Sequence, residues 1–217
     1  MTQIKATLID PMGSDLSVVN AARVSFGKKS KWDYHDSQTM RLSERDTKLI
    51  HYLAKHKHLS PFGHAFASFH VKAPIFVARQ LVKHKFLRWN EISRRYVDEE
   101  PEFYKPDVWR GKSKDKKQGS DGVVEGITTK EYNEVCLDVY QRMLEAGVAP
   151  EQARMVLPQS TMTEWYWSGS LDAFASMCKL RCASDTQYES RIVADQISEK
   201  MEQLFPVSWE ALMGDVG

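Results

Sequence analysis

The stretch ASFHVKAPIFVARQLVKHK, residues 67–85, contains a change of hydrophobic period that decides the fold class. Its first seven residues alternate apolar and polar side chains, the period of a strand with one buried and one polar face. Pro74 ends the alternation, and proline suits the first turn of a helix because that turn does not need its missing N–H. After it, Ile75, Ala78 and Val82 recur at helical spacing. The stretch therefore predicts a strand followed directly by a helix.

Strand and helix patterns recur along the rest of the chain. Residues 4–8 and 161–167 alternate like strands, whereas helical stripes lead up to Gly147 and Pro206. No internal repeat is visible. The mixture of helices and separated strands suggests an α+β fold, which we predict as a mostly antiparallel sheet packed with helices in a single domain over residues 1–217.

The composition is that of a globular domain. The chain has 217 residues, of which 42% are hydrophobic and 27% charged, and a formal net charge of +1. No apolar run reaches the roughly 18 residues of a membrane-spanning helix. The first residues, MTQIKATLIDPMG, lack the apolar core of a signal peptide. We therefore expect a cytoplasmic protein, in the host cytoplasm if it is viral, without a membrane partner.

Residues 105–126 have a different composition from their surroundings. They are rich in Lys, Gly, Ser and Asp and contain few apolar side chains. This is typical of a flexible surface loop or an insertion within a domain. We predict such a loop there, and no domain boundary.

The cysteines and histidines do not predict a metal site. Three cysteines cannot all pair, so reduced thiols are expected. Cys178 and Cys182 lie four residues apart in a helical pattern, but two ligands without a second pair are a weak metal signal, and core packing is favoured. Six of the seven histidines lie between His51 and His84, yet no His-Glu-x-x-His pair is present.

A cluster of positive charge in KHKFLRWNEISRRY, residues 83–96, is the strongest functional signal. It combines six basic side chains with aromatic ones and a single acid, Glu91. Residue types alone leave three interpretations open: a solvated basic face, a groove for single-stranded RNA or DNA, and a nucleotide pocket in which guanidinium groups hold a phosphate. The near-neutral net charge weakens the nucleic-acid interpretation.

Ser93 lies within this cluster, where it is either an activated nucleophile or a hydroxyl that binds phosphate. The nucleophile elbow G-x-S-x-G and the phosphate loop G-x-x-x-x-G-K-S/T are both absent, which argues against a hydrolase and a P-loop enzyme. Because the sequence fixes no base near Ser93, phosphate binding is the favoured role.

The cluster resembles the signature of the flavin-dependent thymidylate synthases, which is R-H-R, seven residues and Ser. Here it is Lys83-His84-Lys85, seven residues and Ser93. The resemblance extends to further blocks in the same order, which are AARVSF (21–26), HLSPFGHAFASFHVKAPIFVARQ (58–80), ARMVLP (153–158) and LRCASDTQYE (180–189). Together the blocks cover most of the chain.

The resemblance implies methylation of dUMP to dTMP, with methylenetetrahydrofolate as the carbon donor. FAD would carry the hydride, and NADPH would regenerate the reduced flavin. It also implies a homotetramer of α+β subunits whose active sites are shared between chains, with no nucleic acid as a partner. The alternative interpretation is a single-stranded nucleic-acid-binding protein that uses the same basic and aromatic cluster.

Carried over position by position, the resemblance implies a dUMP site of nine residues. They are Gln80, Lys83, Glu91, Ile92, Ser93, Arg94, Arg95, Arg154 and Arg181. The catalytic one would be Arg181, whose guanidinium would lie at the uracil ring and favour negative charge that develops during attack. The alternative for Arg181 is an ordinary cation at a helix C-terminus.

The resemblance implies a second set of residues for FAD. It consists of Ser25, Ser60, Lys83, His84, Lys85, Glu91, Ser170, Asp172 and Ser176. Lysines replace both arginines of the signature, which keeps the charge but loses the planar fork that grips phosphate oxygens. Arg88 stands where a small residue is common and would restore part of that grip, and Gly63 stands where an acid is frequent. An aspartate at position 172 would repel a pyrophosphate unless its side chain turns away or pairs with a lysine.

Overall fold

The structure is a computed structural model that describes residues 4–34, 40–97, 99–114 and 119–214. Its strands, in chain order, are β1 (Lys5–Met12), β2 (Asp33–Tyr34), β3 (Met40–Arg41), β4 (Phe66–Pro74), β5 (Leu87–Glu91), β6 (Trp109–Lys112), β7 (Ser120–Val124) and β8 (Met162–Ser170). Its helices are α1 (Asp15–Arg23), α2 (Glu44–Lys55), α3 (Ile75–Leu81), α4 (Lys130–Glu145), α5 (Pro150–Ala153), α6 (Leu171–Arg181), α7 (Tyr188–Leu204) and α8 (Pro206–Met213). None of these helices is long and apolar enough to cross a membrane.

Four strands form the central sheet in the order β1-β4-β8-β5. β8 lies between β4 and β5 and is antiparallel to both, so β4 and β5 run in the same direction. The segment containing α3 connects them and takes the chain past β8 to the edge of the sheet. β2 pairs with β3, and β6 with β7, in two separate antiparallel ribbons. This mixture of helices and antiparallel strands confirms the predicted α+β class.

One face of the central sheet forms the core. Along β4 the apolar side chains from Ala67 to Ala73 are buried, while the polar ones between them are only partly covered. Trp165 and Trp167 of β8 are 1% exposed, and they contact Trp89 of β5 and Phe174 of α6. α6, α7 and α8 pack together, with α7 against β1 and β4. The alternation in the opening stretch is therefore the burial pattern of β4, and the strand and the following helix are both confirmed.

Residues 105–126 differ from the predicted loop, because they contain the hairpin β6–β7; residues 115–118 lie outside the described ranges. The Arg110 guanidinium donates to the Glu189 carboxylate of α7 and, at 3.0 Å, to the Ser120 hydroxyl across the ribbon. At Gly111 a Cβ would lie 2.9 Å from the carbonyl oxygen of Asp121, so glycine permits the close pairing. The polar composition did not indicate this pair of strands, which is held by the contact between Arg110 and the distant Glu189. The mobility of this segment stays a prediction.

The basic cluster also contains an element that the sequence did not predict. α3 ends at Leu81, before the signature, and β5 occupies the middle of residues 83–96. β5 pairs with β8, with Leu87 opposite Gly169 and Glu91 opposite Trp165. The signature therefore spans a turn, a strand and a second turn.

Candidate active site

One end of the central sheet gathers several of the residues predicted for FAD. Ser170, the last residue of β8, pairs with Phe66, the first residue of β4. Ser60 lies in the turn before β4, and Lys85 lies just before β5. Ser25 lies in the turn after α1, the helix that packs against the turn containing Ser60. Because β4 and β5 are both antiparallel to β8, the topology places these positions at the same end, which we call the basic end.

The turn between α3 and β5 presents two lysines at the basic end. Lys83 and Lys85 are exposed, and the neighbouring Phe86 has φ of +65°. The turn lies tightly against β8, since a Cβ at Gly169 would be 2.4 Å from the Leu87 side chain and 3.1 Å from the Phe86 carbonyl oxygen. Glycine permits this approach because it has no side chain. The two ammonium groups provide the charge that a phosphate group requires.

His84 and Arg181, predicted for FAD and dUMP respectively, are in direct contact. Arg181 Nε donates to His84 Nε2 at 3.0 Å. The imidazole therefore accepts at Nε2 and, when neutral, carries its proton on Nδ1. Burial, followed by the charge of Arg181, lowers the pKa of His84 to about 4. The contact joins the signature to the C-terminus of α6, a second block of the resemblance.

The start of α6 contains the other predicted FAD residues. Ser170 is the N-cap residue, but its side chain makes no capping hydrogen bond. Asp172 Oδ1 is buried and has no hydrogen-bond partner among the described residues. Ser176 is exposed, two turns into the helix. A buried carboxylate oxygen without a partner is an acceptor that a hydroxyl or amino group of a ligand could satisfy.

Gln80 of α3 is fixed by two residues of α7 and the turn before it. Gln80 Nε2 donates to Gln187 Oε1, and its Oε1 accepts from the Ser190 hydroxyl at 3.1 Å. Both ends of the Gln80 amide are therefore engaged, and its orientation is set. Neither partner was among the residues predicted for the site. Gln187 lies within the block LRCASDTQYE, which was the available signal, and Ser190 follows that block directly.

Glu91 at the end of β5 is held by two side chains of the sheet. Thr163 Oγ1 donates to Glu91 Oε1 at 2.6 Å, and Trp89 Nε1 donates to Glu91 Oε2 at 3.1 Å. The next residue, Ile92, donates its backbone N–H to the Glu164 carbonyl at 2.9 Å, and its side chain is 42% exposed. Neither Thr163 nor Trp89 was predicted for the site. The carboxylate is thus positioned as an acceptor at the rim of the sheet.

Ser93, Arg94 and Arg95 form the turn after β5. Arg95 Nε donates to the Ser93 hydroxyl at 3.2 Å, and its guanidinium lies 4.9 Å from the centre of the Tyr96 ring. Arg94 donates to the Glu99 carbonyl at 2.5 Å. Within the described part of the chain, no general base contacts the Ser93 hydroxyl. The turn combines a hydroxyl with two guanidinium groups, a chemistry suited to an anion.

Arg154 lies apart from the other predicted residues. It is exposed at the end of α5, and its Nε donates to the Glu151 carbonyl at 3.3 Å. Among the described residues, no hydrogen bond or ion pair joins it to another predicted position.

The predicted site residues lie outside three cavities of the described chain. Three cavities of about 900, 270 and 570 Å³ lie in the described part of the chain, and no predicted site residue lines any of them. The predicted residues instead occupy several separate surface positions.

The histidine-rich region does not assemble a metal centre in the described ranges. No group of three His, Cys, Asp or Glu side chains there is placed to hold an ion. Tyr52 in the last turn of α2 instead stacks with His56 and with His58, with ring centres 4.1 and 6.2 Å apart respectively.

The chain is similar to known proteins in sequence and in structure. The family described as thymidylate synthase complementing protein matches residues 7–207. A flavin-dependent thymidylate synthase of Thermus thermophilus is 41% identical over 208 residues, which cover 94% of this chain and 73% of that protein. One of Kosmotoga olearia is 41% identical over 213 residues, which cover 95% of this chain and 88% of that protein.

A solved structure gives the same result. The UMP/dUMP methylase PolB of Streptomyces cacaoi, bound with 5-Br dUMP, superposes with a TM-score of 0.79 at 34% identity. The superposition covers 97% of this chain and 94% of PolB. Signature, fold and relatives agree over nearly the whole length, and the chain belongs to the thymidylate synthase complementing protein family, that of the flavin-dependent thymidylate synthases.

Proposed function

We propose that the chain is a flavin-dependent thymidylate synthase that methylates dUMP to dTMP in the cytoplasm. Its co-substrates are methylenetetrahydrofolate and NADPH, and its cofactor is FAD. The observation that carries the proposal is the hydrogen bond between Arg181 and His84, because it unites two blocks of the family in one half-buried cationic site. The names of the relatives and the dUMP analogue bound to PolB support the same substrate.

The residues at the basic end fit a flavin dinucleotide. Lys83 and Lys85 are exposed cations suited to a pyrophosphate, and Asp172 Oδ1 is an acceptor without a partner in the described chain. Because a carboxylate repels phosphate, we assign Asp172 to a hydroxyl or amino group of the cofactor. Ser25, Ser60, Ser170 and Ser176 complete the proposed set with His84 and Glu91. When bound, FAD supplies the hydride transfer, a chemistry for which the protein contributes binding and orientation.

Arg181 is the catalytic residue of this proposal. His84 accepts a hydrogen bond from its Nε, which leaves the rest of the guanidinium to act at the uracil ring. A fixed positive group there stabilises negative charge that develops on the pyrimidine during the reaction. The effect is stronger in a partly dehydrated site than in water, because the local dielectric is lower.

The dUMP phosphate is assigned to the turn after β5. Ser93 binds it through its hydroxyl and does not act as a nucleophile, since no base of the described chain contacts that hydroxyl. Arg94, Arg95 and Arg154 supply guanidinium groups for the phosphate oxygens. Gln80, Lys83, Glu91 and Ile92 line the rest of the nucleotide. The orientation of the Gln80 amide, set by Gln187 and Ser190, suits a role in reading a polar edge.

The proposed working form is a homotetramer whose active sites are shared between chains. Its support is the exposure of many of the predicted residues and the position of Arg154, which no hydrogen bond or ion pair joins to another predicted residue in the described chain. A neighbouring copy would provide a further wall and bring these groups together.

The environment of Trp89 argues against the nucleic-acid alternative. Trp89 stacks on Trp165 with ring centres 4.3 Å apart, and it faces the core instead of a groove. The face of this indole that contacts Trp165 is therefore closed to a base.

The test is spectroscopic. We expect the pure protein to be yellow, or to become so with added FAD, and dUMP to perturb the flavin absorbance band. Formation of dTMP should require methylenetetrahydrofolate and NADPH together. The Arg181→Ala chain should keep the flavin spectrum but lose about 100-fold or more in turnover, as when one preorganised charge-stabilising group is removed. A protein that is colourless and shows no flavin absorbance after FAD is added would contradict the proposal.

A further inference from the structure

Three sulfur-containing side chains line a cavity that the proposed reaction does not use. Cys178, Cys182 and Met213 face a space of about 570 Å³ together with Lys57 and Lys179. Both thiols are free; Cys178 is fully buried and Cys182 is half-buried. They close the last turn of α6, where the Cys182 N–H donates to the Cys178 carbonyl at 2.8 Å.

The spacing of the two cysteines decides what their thiols can do. Side chains four residues apart on a helix have Cβ atoms about 5–6 Å apart. A disulfide requires roughly 3.5–4.5 Å between them, so it would force the last turn of α6 to unwind. With metal–sulfur bonds of about 2.3 Å, two thiolates on one ion lie up to roughly 4.6 Å apart, which helical side chains can reach by rotation alone. The geometry suits an ion between the sulfurs better than a bond between them.

The surrounding chemistry selects the class of ion. Thiolate and thioether ligands favour soft cations. Both cysteines are free thiols, so the ion must be one that displaces thiol protons. Two thiolates around one monovalent cation leave a net charge of −1. Lys57 and Lys179 also line the cavity, and their positive charges offset it.

We propose that Cys178, Cys182 and Met213 bind one soft monovalent cation of the Cu(I) or Ag(I) class. On binding, the two thiols lose their protons to solvent, and the two thiolates and the thioether each donate an electron pair to the ion. The site lies outside the proposed flavin and nucleotide residues. Because Cys182 directly follows Arg181, a bound ion also restrains the turn that holds the Arg181 side chain.

Silver is the probe for the test, since it does not change oxidation state in air. We would titrate the full chain carrying Cys136→Ser with Ag(I) and count bound ions by native mass spectrometry. One ion per chain is expected. In that background either Cys178→Ser or Cys182→Ser should weaken binding by about 100-fold or more, because half of the thiolate donors are lost, and Met213→Leu by about tenfold. Silver binding that is unchanged by Cys182→Ser would overturn the proposal.

A second measurement needs no substitution in the site. In the wild-type chain, saturating Ag(I) should slow alkylation of Cys182 by iodoacetamide, measured peptide by peptide. Cys136 on α4 is the internal reference, because it lines no part of this cavity. Equal protection of Cys136 and Cys182 would show unspecific thiol binding and would also overturn the proposal.

Discussion

His84 holds the proposed catalytic arginine only while its imidazole is neutral. Its folded-state pKa of about 4 lies below the ordinary value of 6.5. Between pH 6.5 and pH 4 the unfolded chain therefore takes up a proton that folded His84 does not, and the free energy of unfolding falls as the pH falls. Below about pH 4 both states are protonated at this residue and its contribution stays constant.

The check is a comparison of melting temperature against pH for the wild type and His84→Asn. Asparagine keeps a carbonyl acceptor near Arg181 but does not titrate. We expect the wild type to lose more stability than the variant between pH 6.5 and pH 4, and the two curves to run parallel below that window. Parallel curves throughout would mean that His84 titrates normally and that the Arg181 contact does not persist in solution.

Gly169 permits the turn that presents Lys83 and Lys85 to lie close against β8. A methyl group there would lie 2.4 Å from the end of the Leu87 side chain and 3.1 Å from the Phe86 carbonyl oxygen, so in Gly169→Ala the Leu87 side chain must rotate and the turn before β5 must shift by a few tenths of an ångström. We expect a loss of about 1–3 kcal/mol in the free energy of unfolding by urea, the usual range for overpacking, together with weaker FAD binding. Gly63→Ala is the matched control, since no atom lies within 4 Å of its Cβ and its backbone is not strained. Equal effects of the two substitutions would contradict this role of Gly169.

Individual site residues were predictable from the sequence only where a motif contained them. Lys83, His84, Lys85 and Ser93 follow from the signature itself. Their supporting partners do not, because the contacts join distant parts of the chain: Ser190 and Gln80 are separated by 110 positions, and Thr163 and Glu91 by 72. A pattern of neighbouring residues in the sequence does not predict a hydrogen bond between positions so far apart.

At the scale of elements, the hairpin β6–β7 is attached to α7 by one guanidinium. Arg110 pairs with Glu189, whose side chain is 10% exposed, and lies 4.3 Å from the centre of the Tyr188 ring. Tyr104 also donates its hydroxyl to Glu189, at 3.3 Å. Removal of Arg110 leaves the buried Glu189 carboxylate without this positively charged partner. That destabilises the fold more than the loss of an exposed ion pair does.

We therefore predict that Arg110→Met lowers the free energy of unfolding by about 2 kcal/mol, below the full value for a buried pair because the guanidinium is partly exposed. Amide hydrogen exchange should accelerate in residues 109–112 and 120–124 before it does so in the central sheet. Lys112→Met, an exposed position on the same strand, is the control and should leave exchange unchanged. If the hairpin already exchanges at the rate of a free loop in the wild type, the attachment is not formed.

The elements differ in how much local sequence determines them. β4 and α3 were predictable because each buries one face, and the spacing of their own apolar residues shows the period of burial. β5 and the hairpin were not, because their residues are polar and largely exposed and they become strands only by pairing with other segments. For β5 that partner is β8, whose paired residues lie 74 to 82 positions away in the chain. The alternation of β8 indicated a strand but did not indicate which strands lie beside it.

At the scale of the whole molecule, the point to explain is which residues enclose the bound ligands. The fold class followed from the sequence because secondary-structure periods and burial are properties of one chain. The enclosure of the ligands does not, since no predicted site residue lines any of the three cavities described above. If a neighbouring copy completes the pocket, two inactive chains can complement each other.

The experiment mixes an Arg181→Ala chain with a Ser93→Ala chain, each inactive alone by about 100-fold or more. In a shared site Arg181 of one chain acts beside Ser93 of another, so a hybrid contains some sites with both residues intact. Refolding or subunit exchange should then restore thymidylate formation to several times the activity of either variant, with hybrids verified by differently tagged chains. If each chain holds its own complete site, every site keeps one defect and activity stays at the level of the single variants. The double variant Arg181→Ala/Ser93→Ala mixed with wild type is the control, because sharing predicts that it lowers the activity of wild-type chains, whereas separate sites predict simple dilution.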